Sequence, residues 1–299
     1  MNKFLENRWV LLIIIALTWG SSFILIKRSL VSFSPYQIGA YRVAISGIIL
    51  SFIGIPALLR MQRKTLFWVA MVGFFGNFLP MFLFPMAQMS VSSSMAGILD
   101  SLVPIFVLVL GFFLFRIKST KLQIFGAVIG FAGAAMLMHF SQDVSGESKL
   151  SGSLLIILAT ACYALAALII KERLNYLPSK DLSGAVFTIW MLPSIAILLS
   201  SGFFTEIEYT SQTWQSLGYL SILSVLGTAI AIILYYKLIQ NTSPVFASSV
   251  TYLLPVIAVM WGLLDGEMFS LWYVIGGILI LWGIYLIKEK KPVAALKPE

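Results

Sequence analysis

Two ionic side chains stand inside apolar sequence and are the first candidates for chemistry: Arg42 and Asp100. Arg42 lies six residues into a run that opens at Tyr36, about 9 Å along a helix, and Asp100 nine residues into a run from Val91, about 14 Å. Counting runs places both helix starts on the same side of a membrane, so the two groups reach similar depth. A charge in hydrocarbon is costly and is normally paired or turned to a cavity. Two readings stay open: a structural ion pair tying two helices together, or a site for a charged substrate group in which Asp100 carries a coupling proton. Either reading puts Asp100 in the protein interior.

Further polar and aromatic residues sit in or beside the apolar runs: Trp19, Asn77, Gln88, Tyr163, Trp190, Thr228, Tyr235 and Tyr252. A single aromatic there is ordinarily a packing or interfacial anchor. As a set, aromatics beside few polar groups suit the lining of a cavity for a small, partly apolar solute. Other chemistries lack material. Cys162 is the only cysteine and His139 the only histidine, which excludes an intrachain disulfide and a Cys/His metal cluster. Their places, inside one apolar run and at the end of another, fit chance better than a nucleophile–base pair. The chain shows no Walker-type phosphate loop. No cofactor or metal is expected, and the chain has no site from which ATP would drive work.

The elements that must position these residues follow from composition. Hydrophobic residues make up 60% of the chain and charged ones 11%, with a mean hydropathy of +0.97; a soluble domain carries about 25% charge. The net charge of +8 sits in short loops between apolar runs, without a basic stripe or RNA-binding motif, so nucleic acid is not an expected partner. Ten apolar segments are predicted: Trp9–Ile26, Tyr36–Leu59, Phe67–Ala87, Val91–Phe115, Leu122–Met138, Leu154–Ile170, Leu182–Leu199, Leu217–Leu238, Val245–Leu264 and Leu271–Ile287. Several are short for a membrane crossing. Period-two alternation is missing, which argues against a lipid-facing barrel. The first run lacks the usual small-x-small cleavage site of a signal peptide and is read as a retained helix.

Lys and Arg set the orientation. Sixteen fall in loops on one side, three (Lys27, Arg28 and Lys149) on the other, and Arg42 lies within the membrane. Both termini are therefore expected in the cytoplasm. The run KEKK at 288–291 would anchor the tail to anionic inner-leaflet lipid.

The chain also repeats itself. Ser92–Gly111 shifted by 151 positions lands on Ser243–Gly262 with five identities in twenty, among them Pro104 with Pro255 and Gly111 with Gly262. The same shift pairs Gly76 with Gly227, Asn77 with Thr228, Asp100 with Thr251 and Gly126 with Gly277. A shift of 144 pairs Trp19 with Tyr163, Ile26 with Ile170 and Lys27 with Lys171. Prolines in register inside helices, where each costs about 3 kcal/mol, point to a duplicated unit with a built-in kink. Five helices per unit, an odd number, invert the second copy in the membrane. The expected fold is thus all-α and integral to the membrane: a first repeat over 1–140, a linker at 141–150, a second repeat over 151–287 and a basic tail at 288–299, with a cavity between the halves. Such inverted repeats build many secondary carriers. Pro104 and Pro255 are the expected hinges. Asn77, Pro80 and Pro85 mark the third helix as bent, either lining the cavity or simply kinked. Gly126, Gly130 and Gly133, with Gly276, Gly277 and Gly283, give the fifth and tenth helices smooth faces for close packing or, as the second reading, a homodimer.

The segments ALTWGSSFILIK and YRVAISGIIL, the paired proline helices, and WGLLDGE before a glycine-rich last helix resemble the drug/metabolite transporter superfamily, in its ten-helix EamA-type exporter branch. The resemblance covers residues 9–287 or so. It implies two inverted five-helix repeats around a central cavity and export of small metabolites such as amino-acid-like or aromatic solutes, or drugs, across the inner membrane. Gly266-Glu267 at the end of the ninth helix is Phe115-Arg116 in the first half and is given no transport role. The rivals are a flippase for a lipid-linked molecule and, with less material behind them, a membrane enzyme or a receptor.

Overall fold

The computed structural model describes residues 7–91, 93–139, 150–205, 207–208, 210–257 and 271–287. Among these residues all regular structure is helical. The chain runs α1 (Arg8–Gly20), α2 (Ser22–Ser29), α3 (Pro35–Leu59), α4 (Arg63–Gly73), α5 (Leu79–Gln88), α6 (Ser93–Asp100), α7 (Val103–Phe115), α8 (Lys121–His139), α9 (Leu150–Arg173), α10 (Ser179–Ser200), α11 (Ser211–Ser224), α12 (Ala231–Asn241), α13 (Pro244–Ser248) and α14 (Leu271–Ile287). A π-helical turn, Phe74–Phe78, joins α4 to α5; a second, Val225–Ile230, joins α11 to α12.

Among the described residues, six stretches are long and apolar enough to cross a membrane: Arg8–Ser29, Pro35–Leu59, Arg63–Gln88, Leu150–Arg173, Ser179–Ser200 and Ser211–Asn241. Shorter apolar helices accompany them at Val103–Phe115, Lys121–Met136, Pro244–Ile257 and Val274–Ile287. These six are longer than the apolar runs alone indicate, reaching 31 residues for Ser211–Asn241. The extra length comes from polar ends that still form helix. Thr210 caps α11 by accepting from the Thr213 N–H, and a Ser34–Gln37 capping box with Pro35 starts α3.

The proline helices are broken rather than kinked. After Asp100 the chain turns through Ser101 and Leu102, and Pro104 sits in the first turn of α7. There its missing N–H would have no intrahelical partner anyway. In the later proline segment α13 passes into a 3₁₀ segment, Ser249–Leu253, before helix resumes at Leu254 beside Pro255. The two breaks touch: the Ser101 hydroxyl donates to the Gly97 carbonyl at 2.9 Å and lies 3.4 Å from that of Thr251. Gly266 and Glu267, the 288–291 lysines and the end of the expected ninth helix lie outside the described residues.

Glycines set the closest helix contacts. A Cβ on Gly54 would collide with the Gly184 carbonyl oxygen, and one on Gly47 would come within 2.7 Å of Met191 Cβ. As position rises along α3 it falls along α10, so the two run antiparallel. The same holds for α8 and α14. There Gly126 faces the Gly283 carbonyl and Gly133 that of Gly276, each at 2.8 Å from a built Cβ. The smooth faces noted in the sequence are covered by each other within the chain, although Gly277 faces open space.

Candidate functional site

Where the helix breaks, the π turns and α1 converge, an internal cavity of about 80 Å³ is left. Trp19, Arg42, Asp100, Tyr163 and Tyr235, all anticipated from the sequence, border it, together with Gly76, Gly227 and Thr251. Ser22, Phe23, Phe84 and Tyr236 also border it and were not anticipated.

The polar groups divide into those already engaged and those facing the cavity free. Arg42 is buried, and its Nε and Nη2 donate to the Thr228 hydroxyl oxygen at 3.3 and 3.2 Å. That hydroxyl in turn donates to the Leu223 carbonyl at 3.1 Å, which pins the guanidinium to the second π turn. The Trp19 indole N–H donates to the Gly227 carbonyl at 3.0 Å, in the same turn. A π turn spaces its backbone bonds more widely than an α-helix, which leaves carbonyls for side chains to claim. Asp100 differs. It is 5% exposed, it lines the cavity, and its Oδ1 has no hydrogen-bond partner. The ion pair with Arg42 that the sequence left open does not form, because the guanidinium is held by Thr228 instead. Tyr163 lines the cavity with both charged residues. Among the described residues neither its hydroxyl nor that of Tyr235 has a hydrogen-bond partner, and both side chains border the cavity.

Aromatic rings complete the wall. Tyr235 packs against Trp19 with centroids 4.8 Å apart, Tyr163 stacks on Phe84 at 5.9 Å, and Phe84 meets Phe23 at 6.2 Å.

The other sequence candidates stand outside the lining and are engaged elsewhere. Asn77 Nδ2 donates to the Tyr236 hydroxyl at 2.7 Å, so Asn77 acts on the cavity through that ring. The Trp190 indole donates to the Ala70 carbonyl at 3.1 Å, with its ring 4.5 Å from that of Phe78. Tyr252 is fully buried and donates to the Ala127 carbonyl at 2.7 Å; its ring lies 2.6 Å from where a Gly130 Cβ would be. Gln88 ends α5 with both amide atoms buried and unpartnered. Among the described residues no group of three or more His, Cys, Asp or Glu is placed to hold a metal.

Comparison with known proteins covers nearly the whole chain. The family model described as the EamA-like transporter family matches residues 7–139 and again 150–288. The uncharacterized inner membrane transporter YedA of Escherichia coli (strain K12) is 30% identical over 288 residues, covering 92% of this chain and 91% of that protein. An uncharacterized transporter of Archaeoglobus fulgidus is 25% identical over 286 residues, covering 95% and 100%. A probable amino-acid metabolite efflux pump of Salmonella typhimurium is 23% identical over 288 residues, covering 92% and 93%. One crystal structure shares the fold with a TM-score of 0.69 at 17% identity, over 93% of this chain and 94% of that one.

Proposed function

The chain belongs to the EamA-like transporter family, a multi-pass inner membrane transporter and not an enzyme, and from that premise we propose that it exports small amino-acid-like or aromatic solutes by alternating access. The transporting unit is two inverted five-helix repeats, 1–140 and 151–287, joined by a linker at 141–150, with both termini in the cytoplasm. The observation that carries the reading is the cavity where the broken helices of the two halves touch, at Ser101 and Thr251. Several features support the inverted repeat. One family model matches both halves, α3 meets α10 and α8 meets α14 antiparallel, and the π turns begin 151 positions apart, at Phe74 and Val225. The relative described as a probable amino-acid metabolite efflux pump supports the solute class.

In the proposed cycle the walls of the cavity part to load and release the solute. The breaks ahead of Pro104 and Pro255 are the places where that motion costs least, because no continuous helix has to bend there. Across the outer end, the hydroxyls of Ser32 and Ser216 lie 3.0 Å apart, one from each half. Ser32→Cys with Ser216→Cys, in a Cys162→Ala background, should form a disulfide that blocks flux into proteoliposomes, with recovery on reduction. Unchanged flux in the oxidised protein would refute alternating access through this end. Movement of a labelled lipid without movement of any soluble solute would instead favour the flippase.

A further inference from the structure

We propose that the Asp100 wall of the cavity is a subsite for a protonated amino group, so that the solutes handled here must carry an amine. This deepens the transport reading and rests on it. Trp19, Asn77, Tyr236 and Thr228 are engaged with protein partners, and Arg42 spends two of its nitrogens on Thr228. Facing the cavity unspent are the third guanidinium nitrogen of Arg42, the hydroxyl proton of Tyr236, the hydroxyls of Tyr163 and Tyr235, and the Asp100 carboxylate, whose buried Oδ1 nothing bonds; the free acceptors among them are Asp100 and the two phenol oxygens. Both phenols share the cavity lining with Asp100.

A buried acceptor left without a donor is costly, and a ligand that supplies N–H groups recovers that cost. Three features make the donor cationic. Asp100 is the last residue of α6, so it adds to the negative end of that helix dipole. The surrounding wall is π-rich, with Trp19 against Tyr235 and Phe84 against Tyr163, and ring faces attract ammonium groups. The phenol oxygens offer two further acceptors. An ammonium has three donors and no acceptor, which matches one carboxylate oxygen and two phenol oxygens. A solute with only a carboxylate can reach the remaining Arg42 nitrogen, but it leaves the Asp100 acceptor unpaired and meets it as a like charge.

The test is equilibrium binding to purified full-length protein in detergent, using L-phenylalanine, phenethylamine and 3-phenylpropionate, which share a ring and differ in their charged groups. The two amines should bind, and the acid should bind at least about tenfold more weakly. Asp100→Asn should weaken both amines by about tenfold or more, and Asp100→Glu should keep most of the affinity. Equal binding of the acid, no binding of either amine, or amine affinity untouched by Asp100→Asn would overturn the subsite. If Asp100→Asn fails to fold, the ranking of the three probes on wild-type protein still decides. A mutant that keeps amine affinity but loses its response to a proton gradient in vesicles would also overturn the subsite and make Asp100 a proton carrier. Flux of many solutes without preference for amines would remove the subsite and leave transport standing. Amine-selective binding with no flux of any solute would do the reverse.

Discussion

Arg42 shows how a charge is kept inside the membrane without an opposite charge beside it. Two nitrogens converge on one hydroxyl oxygen, and the hydroxyl proton is passed on to a backbone carbonyl. Thr228→Ala removes that acceptor and leaves a buried cation under-bonded, at a cost of about 1–3 kcal/mol. A lower thermal unfolding temperature in detergent is expected for Thr228→Ala, while Thr228→Ser, which keeps the oxygen, should stay near wild type. Equal stability of all three proteins would show that the bond does not hold Arg42. At this scale the site is partly legible in the sequence. Trp19, Arg42, Asp100, Tyr163 and Tyr235 stand out because polar or amphipathic side chains are rare in long apolar runs. Tyr236 does not. It directly follows Tyr235, and neighbours on a helix point about 100° apart, so helical spacing favours only one for a cavity. Both border it, because Asn77 reaches the second ring from another helix. A bond between residues 159 positions apart leaves no mark in one chain's sequence.

Among the elements, α8 and α14 are held by contacts with no room for a side chain. Gly130 lies under the Tyr252 ring, which is itself fixed by its bond to the Ala127 carbonyl. Gly130→Leu must displace that ring or part the helices, and overpacking of this kind costs about 1–3 kcal/mol. Reduced thermal stability is the expected reading. Gly277→Ala, with nothing within 4 Å of the added carbon, serves as the neutral control. A stable Gly130→Leu protein would mean that Tyr252 is free to move. The helices are legible as apolar runs, but their breaks are not. Proline reads as a kink because it costs energy inside a helix, whereas Pro104 occupies a helix start, the position where it costs least. Ser101, whose hydroxyl turns back to the Gly97 carbonyl, accompanies that break.

Over the whole molecule, the asymmetry of lysine and arginine predicts the orientation. In a Cys162→Ala background, Lys297→Cys should react with a membrane-impermeant maleimide only after cells are permeabilised. Lys149→Cys should react in intact cells. The opposite pattern would invert the proposed topology and exchange the inner and outer mouths. One lysine already marks an end of the bundle. Lys171 donates to the carbonyls of Ile239, Gln240 and Thr242 at 3.5, 3.0 and 2.6 Å, closing the C-terminus of α12, while Lys27, its partner in the repeat, is exposed on α2. The two lysines that the shift of 144 pairs thus have different surroundings.

The paired π turns bear on the history of the chain. A π turn carries one residue more than the α-helix around it. Under the proposed duplication, insertions gained independently in each half would have no reason to begin in register, as Phe74 and Val225 do. The extra residue is then older than the duplication. A proline follows only the first turn, at Pro80, while Leu79 and Ile230 flank the same place in the two copies, so the proline did not create the widening in both. Under that duplication, an ancestor of half this length already carried the bend and would enclose a cavity only by meeting an inverted copy of itself.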